Sequence, residues 1–409
     1  MDRREFLGAG AALFAATALG EEYRAPEKSL GVGGFEVTDA GRVSTKPWQP
    51  FSDRKVRVGI AGEGVCEFGS QFGYQNHPNV EVVACTDLDP KRCAKLQGRV
   101  GAKKAYPSCE EMIRHAAEDK LEAVYIATDA PSHVTLAILA LEHGLHVASA
   151  VPALLGKDQL EYVPRLLDAV KRSGRLYQMN ETTAFRGGCY EMRKIYEAGG
   201  FGEILYAEGE YYHCSDLKGG LGVGSYRGWR DGIPPQYYAT HSNGFYTCVT
   251  HKRFTEVTCL GKPSALKIYR DGQNRYGNPY GSEFALYRTE EGGAARMLVA
   301  YDTPSECREC GRVYGQKGSY GDLEKGYLGD AANIAGVDTL KPQLPPGMPA
   351  GGHGGSHGYL TDDFIRGILV PGHKVCADVV TALNTTIAGV YAHLSAMKGG
   401  ETLKIPAVV

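Results

Sequence analysis

The chain has 409 residues, a formal net charge of -2 and a hydrophobic content of 43%. That length accommodates two domains and that apolar content builds real cores. With charge nearly balanced and no long basic run, nucleic-acid binding has no electrostatic support. The 11 cysteines are odd in number and scattered, so they do not form a small disulfide framework. Cys307 and Cys310 are the one close pair and read as a loop disulfide or as two unrelated thiols. A lone C-x-x-C is weak evidence for zinc, and no metal site is expected. Tyrosine is frequent, at 25 against 12 phenylalanines, a composition that suits sugar binding.

In chain order, residues 1–20 come first. Arg3-Arg4 precedes an apolar run from Gly8 to Leu19, and Ala18-Leu19-Gly20 offers small residues for cleavage. This reads as a twin-arginine export signal and places the protein in the periplasm or another extracytoplasmic space. The alternative, an amphipathic N-terminal helix, fits poorly because the run has no polar face. The run is short for a permanent anchor, and no later segment is long, apolar and uncharged, so no membrane span is expected in the mature chain. Residues 21–53, rich in Gly, Pro and charge, read as an arm or linker that packs on a neighbouring subunit, and a homo-oligomer is expected.

Residues 54–182 alternate regularly. Strands are expected over KVRVGIAG, VEVVACTD (80–87), AVYIAT (123–128), HVASAV (146–151) and RLYQMN (175–180), with helical stretches between them. Between 132 and 143, Val134, Ala137, Ile138 and Leu141 share one helical face, as a covering helix requires. The alternation predicts an α/β fold with a doubly wound parallel sheet, a Rossmann domain. Residues 183–409 change pattern. Longer strands, more alternating in polarity, are expected at 204–214, 254–261, 264–270, 284–292 and 294–303, forming an open, largely antiparallel sheet. A C-terminal helix spans about 375–398 and stops at Gly399-Gly400.

Gly62-x-Gly64, followed by Val65, directly succeeds the first strand. Glycines there let the backbone approach a pyrophosphate at a helix N-terminus. The third glycine of the usual spacing would fall at 67, where Glu67 stands, and Gly69 comes two residues late. Asp87 closes the second strand and is placed to accept from both ribose hydroxyls, favouring NAD; the alternative is that it caps the next helix. Arg92 leaves room for NADP.

The stretch AVYIATDAPSHVTLAILALEHGLHVASAVPALLG resembles the glucose–fructose oxidoreductase, inositol dehydrogenase and rhizopine catabolism family, Gfo/Idh/MocA. The resemblance spans about 55–400. It implies an NAD-binding Rossmann domain, a C-terminal α/β substrate domain, and cofactor contacts from Ala127, Thr128, His133 and the strand end at Ala150, Val151 and Pro152. Two departures stand out. Ala150-Val151-Pro152 replaces the family's Glu-Lys-Pro, so its acid/base lysine is missing. YYATHSNGF keeps the family's His as His241 but puts Tyr237 where its Asp belongs.

Other groups are therefore needed. Alternation along 208–213 sends Glu210 and Tyr212 to one face and Tyr211 and His213 to the other. A glycine-rich loop, GGHGGSHGYL, carries His353 and His357. His241 is expected to be the main proton acceptor, with Tyr212 or His213 as helper and His357 as the next candidate. The glycine-rich His loop, the missing Lys and the YATH segment also resemble the NAD-dependent glycosidases of glycoside hydrolase family 109, although Ser356-His357 replaces the Met-Asp expected there. The leading expectation is an exported enzyme with tightly bound NAD that oxidises a carbohydrate hydroxyl by hydride transfer. The alternatives are a redox-neutral glycosidase and a non-catalytic sugar-binding relative. Outside the cytosol no nucleotide pool would regenerate spent cofactor, so a closed redox cycle is expected.

Overall fold

The computed structural model describes residues 43–64, 66–213, 225–303, 308–321 and 325–408. The signal-like segment, Val65 and Cys307 lie outside them. Cys310 carries a free thiol.

Strands β1 (Val56–Ala61), β2 (Val80–Thr86), β3 (Lys104–Tyr106), β4 (Ala123–Ile126), β5 (His146–Ser149) and β6 (Tyr177–Met179) form one parallel sheet in the order β3-β2-β1-β4-β5-β6. Their apolar runs lack polar alternation because helices cover both faces. Helix α1 (Phe68–Gln71) follows β1, α2 (Pro90–Val100) follows β2 and α3 (His133–Glu142) follows β4. Val134, Ala137, Ile138 and Leu141 of α3 are buried as their spacing predicts. The order is that of the Rossmann fold, with a ligand crevice along the carboxyl edge of the strands.

The second sheet has eight strands: β7 (Ile204–Tyr212), β8 (Phe254–Pro263), β9 (Tyr280–Thr289), β10 (Ala294–Ala300), β11 (Arg308–Gly315), β12 (Gly318–Tyr320), β13 (Tyr327–Gly329) and β14 (Leu403–Lys404). Their order is β13-β12-β11-β7-β10-β9-β8-β14, and only β7 and β10 pair in parallel. Residues 264–270, expected as a strand, form turns instead. Pro263 ends β8, and the Asn274 side chain then donates to the Ile268 and Asn278 carbonyls, which ties the segment into a compact loop.

One face of this sheet is covered by α4 (Thr240–Thr250), all of whose residues are buried, and by the C-terminal helix α6 (Val379–Met397). The backbones meet closely. A Cβ on Gly209 of β7 would stand 2.1 Å from the Ser242 carbonyl oxygen, so only glycine lets α4 lie this near the strand. The other face exposes Leu260, Phe284 and Leu286. The C-terminal segment returns to the Rossmann sheet: the Met179 amide donates to the Ala377 carbonyl, and the Ala153 amide donates to Thr386 on α6. Among the described residues, no helix is long and apolar enough to cross a membrane.

Candidate active site

A cavity of about 770 Å³ follows the carboxyl edge of the parallel sheet. Its wall runs in sheet order: Asp87 to Arg92 after β2, Gly62, Glu63, Gly64 and Cys66 after β1, Ala127 to Ala130 and Ser132 after β4, and Ala150 and Val151 after β5. This volume lies in the range of cofactor sites. Ser225, Tyr226, Trp229, Arg230 and Tyr238 close it from the second domain.

The turn after β1 is built for close backbone approach. Gly62 has φ +96°, and a Cβ there would stand 2.5 Å from the Ala127 carbonyl oxygen. A Cβ on Gly69 would stand 2.5 Å from the Gly62 carbonyl oxygen. Gly69 therefore lets helix and turn pack together, the task of the late third glycine. Glu67 takes the left-handed conformation at φ 56° and is held by Lys95 and Arg99. The tight turn, the cavity's volume and its placement across four strand ends fit a dinucleotide.

Asp87 lines this cavity but already has partners. Its Oδ2 accepts from the Glu63 and Gly64 amides at 2.9 and 3.0 Å, and its Oδ1 accepts from the Asp89 amide at 2.9 Å. The helix-capping role weighed for Asp87 belongs to Asp89, which accepts from the Lys91 and Arg92 amides. Thr128 and His133 line the cavity. His133 Nδ1 donates to the Pro152 carbonyl at 2.8 Å, and burial depresses its pKa although carbonyls face it. His133 thus ties the β4 and β5 ends together. Pro152 contributes through that carbonyl and Val151 through its side of the wall, which holds no proton-exchanging group.

A second, small cavity of about 20 Å³ adjoins the first and shares Phe68, Ala150, Val151, Arg230 and Tyr238 with it. His241, His353, Tyr211, Phe72, Asn180 and Thr182 complete its wall. His241, at the start of α4, is the sequence-identified residue that reaches it. Its Nδ1 lies 2.8 Å from Glu181 Oε1, just after β6. Glu181 is fully buried. Burial opposes charge on both groups, but the pair outweighs it: the Glu181 pKa falls below the usual carboxylate range, and that of His241 rises above an ordinary imidazole's. The Glu309 carboxylate on β11 adds to the rise at His241. Arg186 Nε meets Glu309 at 2.8 Å, and Thr183 donates to it.

Glu181, His241 and Glu309 each offer one ligand atom, all within 4.8 Å, a set able to hold a divalent ion. Two features weigh against that use. Arg186 already neutralises Glu309, and neither carboxylate lines a cavity.

Three expected site residues need correction. Tyr212 stands on the opposite face of β7 from Tyr211, where Glu210, Arg296 and Arg308 surround it. Tyr211 faces the cavity, its ring 4.7 Å from His241. His213 is buried 5.5 Å from Tyr211, lines neither cavity, and has its pKa pushed down to about 3 by burial and by Arg230. His357 does not sit on a flexible loop. It opens helix α5 (His357–Leu369), stacks on Phe72 at 4.2 Å, and stands behind the wall residues Phe72 and His353, the latter 2.9 Å away. Tyr237 turns away as well, against Gly156 and His393. The sequence reading missed Glu181, Arg230 and Tyr238. The adjacent tyrosines 237 and 238 left the inward one ambiguous, and no spacing ties Glu181 to His241.

Residues 56–181 match the model of an oxidoreductase family, GFO_IDH_MocA, described by its NAD-binding Rossmann fold. A glycosyl hydrolase family 109 protein of Porphyromonas gingivalis is 32% identical over 166 residues, which cover 39% of this chain and 34% of that protein. A family 109 protein of Streptomyces niveus is 28% identical over 302 residues, covering 67% of this chain and 60% of that one. The chain thus spans about a third of the length of the first of these curated relatives. Levoglucosan dehydrogenase, solved with NADH and levoglucosan, superposes with TM-score 0.69 at 17% identity, covering 86% of this chain and 100% of that one, and shares its fold. Residues 56–181 are thus similar to the NAD-binding Rossmann domain of the Gfo/Idh/MocA oxidoreductases.

Proposed function

We propose that the chain oxidises a carbohydrate hydroxyl by hydride transfer, with His241 as the proton acceptor. The observation that carries this reading is the His241–Glu181 pair, set at a small cavity that opens onto the dinucleotide cleft at the β5 end. A bound nicotinamide supplies the hydride acceptor there; Gly62, Gly64, Thr128 and His133 would hold the dinucleotide. Glu181 accepts from Nδ1, which leaves Nε2 unprotonated in the neutral tautomer and able to take the hydroxyl proton. Tyr238 and Tyr211 flank the imidazole and restrict its rotation. Val151 offers no proton, so the family's shared Lys–His task falls to His241 alone.

A second reading, a redox-neutral glycosidase, is favoured by the family 109 relatives. One experiment tests both. Protein purified without added nucleotide is heated and its released small molecules identified, and the intact protein is then incubated with a glycoside panel. Hydride transfer with turnover yields reduced nicotinamide; the glycosidase yields free sugar without net reduction. Absence of both products and of any nucleotide binding defeats the proposal. We also infer export through Arg3-Arg4; replacing both by Lys should strand the precursor in the cytosol, and an unchanged periplasmic yield would defeat that inference.

A further inference from the structure

We infer that the junction of the two cavities recognises a sugar carrying a carboxylate, through the guanidinium of Arg230. This deepens the proposed carbohydrate reading and rests on it for the sugar ring, but not for the charge.

Arg230 lines both cavities at their junction beside Ala150 and Val151. Its guanidinium lies 4.7 Å from the Trp229 ring centroid and 5.4 Å from that of Tyr238, so two aromatic faces hold it in place. Among the described residues no carboxylate lies within ion-pair distance of it. Other arginines of this domain are engaged: Arg186 with Glu309, Arg296 with Glu208 and Glu210, and Arg312 with Glu208. The small cavity's wall holds no Asp or Glu at all. Its titratable members besides Arg230 are His241, His353, Tyr211 and Tyr238.

Arg230 is always cationic, whereas the charge that His241 gains on taking a proton is met by the ionised Glu181 behind it. Among the described residues the Arg230 guanidinium is thus the cation at this junction without a carboxylate, and an anion beside it offsets the cost of holding it away from water. A guanidinium matches a carboxylate with two parallel hydrogen bonds, a geometry a hydroxyl cannot reproduce. The dinucleotide's own pyrophosphate is the competing anion. It belongs at the Gly62–Gly64 turn after β1, and Arg230 lies within electrostatic reach of Cys66 beside that turn as well as lining the small cavity with Ala150 and Val151, so nucleotide content is the readout that separates the two anions.

The test is calorimetric titration of the full-length, NAD-loaded protein with methyl glucuronide and methyl galacturonide, each against its neutral methyl glycoside. At least one uronide should bind roughly ten- to hundredfold tighter than its neutral counterpart. Arg230→Gln should collapse that ratio, and Arg230→Lys should keep part of it, while nucleotide content and melting temperature match the parent. Equal or weaker binding of both uronides overturns the inference. So does an Arg230→Gln variant that loses nucleotide yet keeps the uronide preference, since the guanidinium would then serve the cofactor. Oxidation of neutral glycosides without uronide preference leaves the redox reading standing and removes this one. Tight uronide binding without hydride transfer does the reverse.

Discussion

At the β1 end of the cleft the turn is shaped largely by backbone: the Glu63 and Gly64 amides held by Asp87 and the bare Cα positions of Gly62 and Gly69. At the β5 end the small cavity is walled by side chains gathered from distant segments, Tyr211 on β7, Arg230 and Tyr238 from a connecting segment, His241 on α4 and His353 before α5, with Glu181 after β6 behind His241. The first arrangement needs a short run of small residues and tolerates changes elsewhere. The second needs several elements to keep their relative positions, so it depends on packing far from the chemistry.

The sharpest way to break the comparison is to remove one side chain from the β5 end. His241→Ala should lower turnover on a confirmed substrate by about a hundred- to ten-thousand-fold, the usual cost of a lost general base. Bound nucleotide and melting temperature should stay near those of the parent. Retention of most activity would move the proton to another group, with His353 the nearest imidazole on the wall.

The matching change at the β1 end is Gly62→Ala. The added methyl meets the Ala127 carbonyl at 2.5 Å in a left-handed backbone. Strain of about 1–3 kcal/mol at such a position corresponds to roughly ten- to hundredfold weaker nucleotide binding. Nucleotide content measured after dialysis reads this directly, and an unchanged content would show that the turn is not the phosphate site.

A subtler change separates orientation from proton transfer. Glu181→Gln keeps the shape but removes the charge that raises the His241 pKa. The parent's kcat/KM should climb with pH through an apparent pKa above about 6.5, because only neutral His241 accepts a proton. The variant's profile should shift to lower pH, with a fall of about tenfold at the plateau from a less well-oriented ring. A profile that stays in place would mean that Glu181 does not act on His241.

Legibility in the sequence followed the same division. The parallel sheet, its strand ends and the Gly62–Gly64 turn could be read because consecutive residues carry that information, whereas Thr128 and His133 came from the family resemblance. Gly69 was read as a departure, yet the turn uses it. In the second domain, β11 and α5 were not expected: RECGRVYG is short and charged, and GGHGGSHGYL looks like a loop until His357 starts a helix. His241 was legible only through family resemblance. Its partner Glu181 lies 60 residues away in sequence, across the domain boundary, and no local pattern could join them.

The buried imidazoles beside His241 set an acid limit on the fold. Burial pushes His213 and His357 down to about 3 and holds His353 well below an ordinary imidazole's range, so all three are uncharged in the folded protein at neutral pH. In the unfolded chain each would titrate near 6.5. Between those values the unfolded chain binds more protons, so stability falls as pH drops below about 6.5, by up to ~1.4 kcal/mol per pH unit for each ring. His241 runs the other way: its raised pKa gives stability fully present below about 6.5 and lost as pH rises through its folded value. Three rings outweigh one on the acid side. Melting temperature should therefore drop steeply from pH 6.5 to 4.5, so acidification first protonates His241 and slows turnover and then, at lower pH, unfolds the chain.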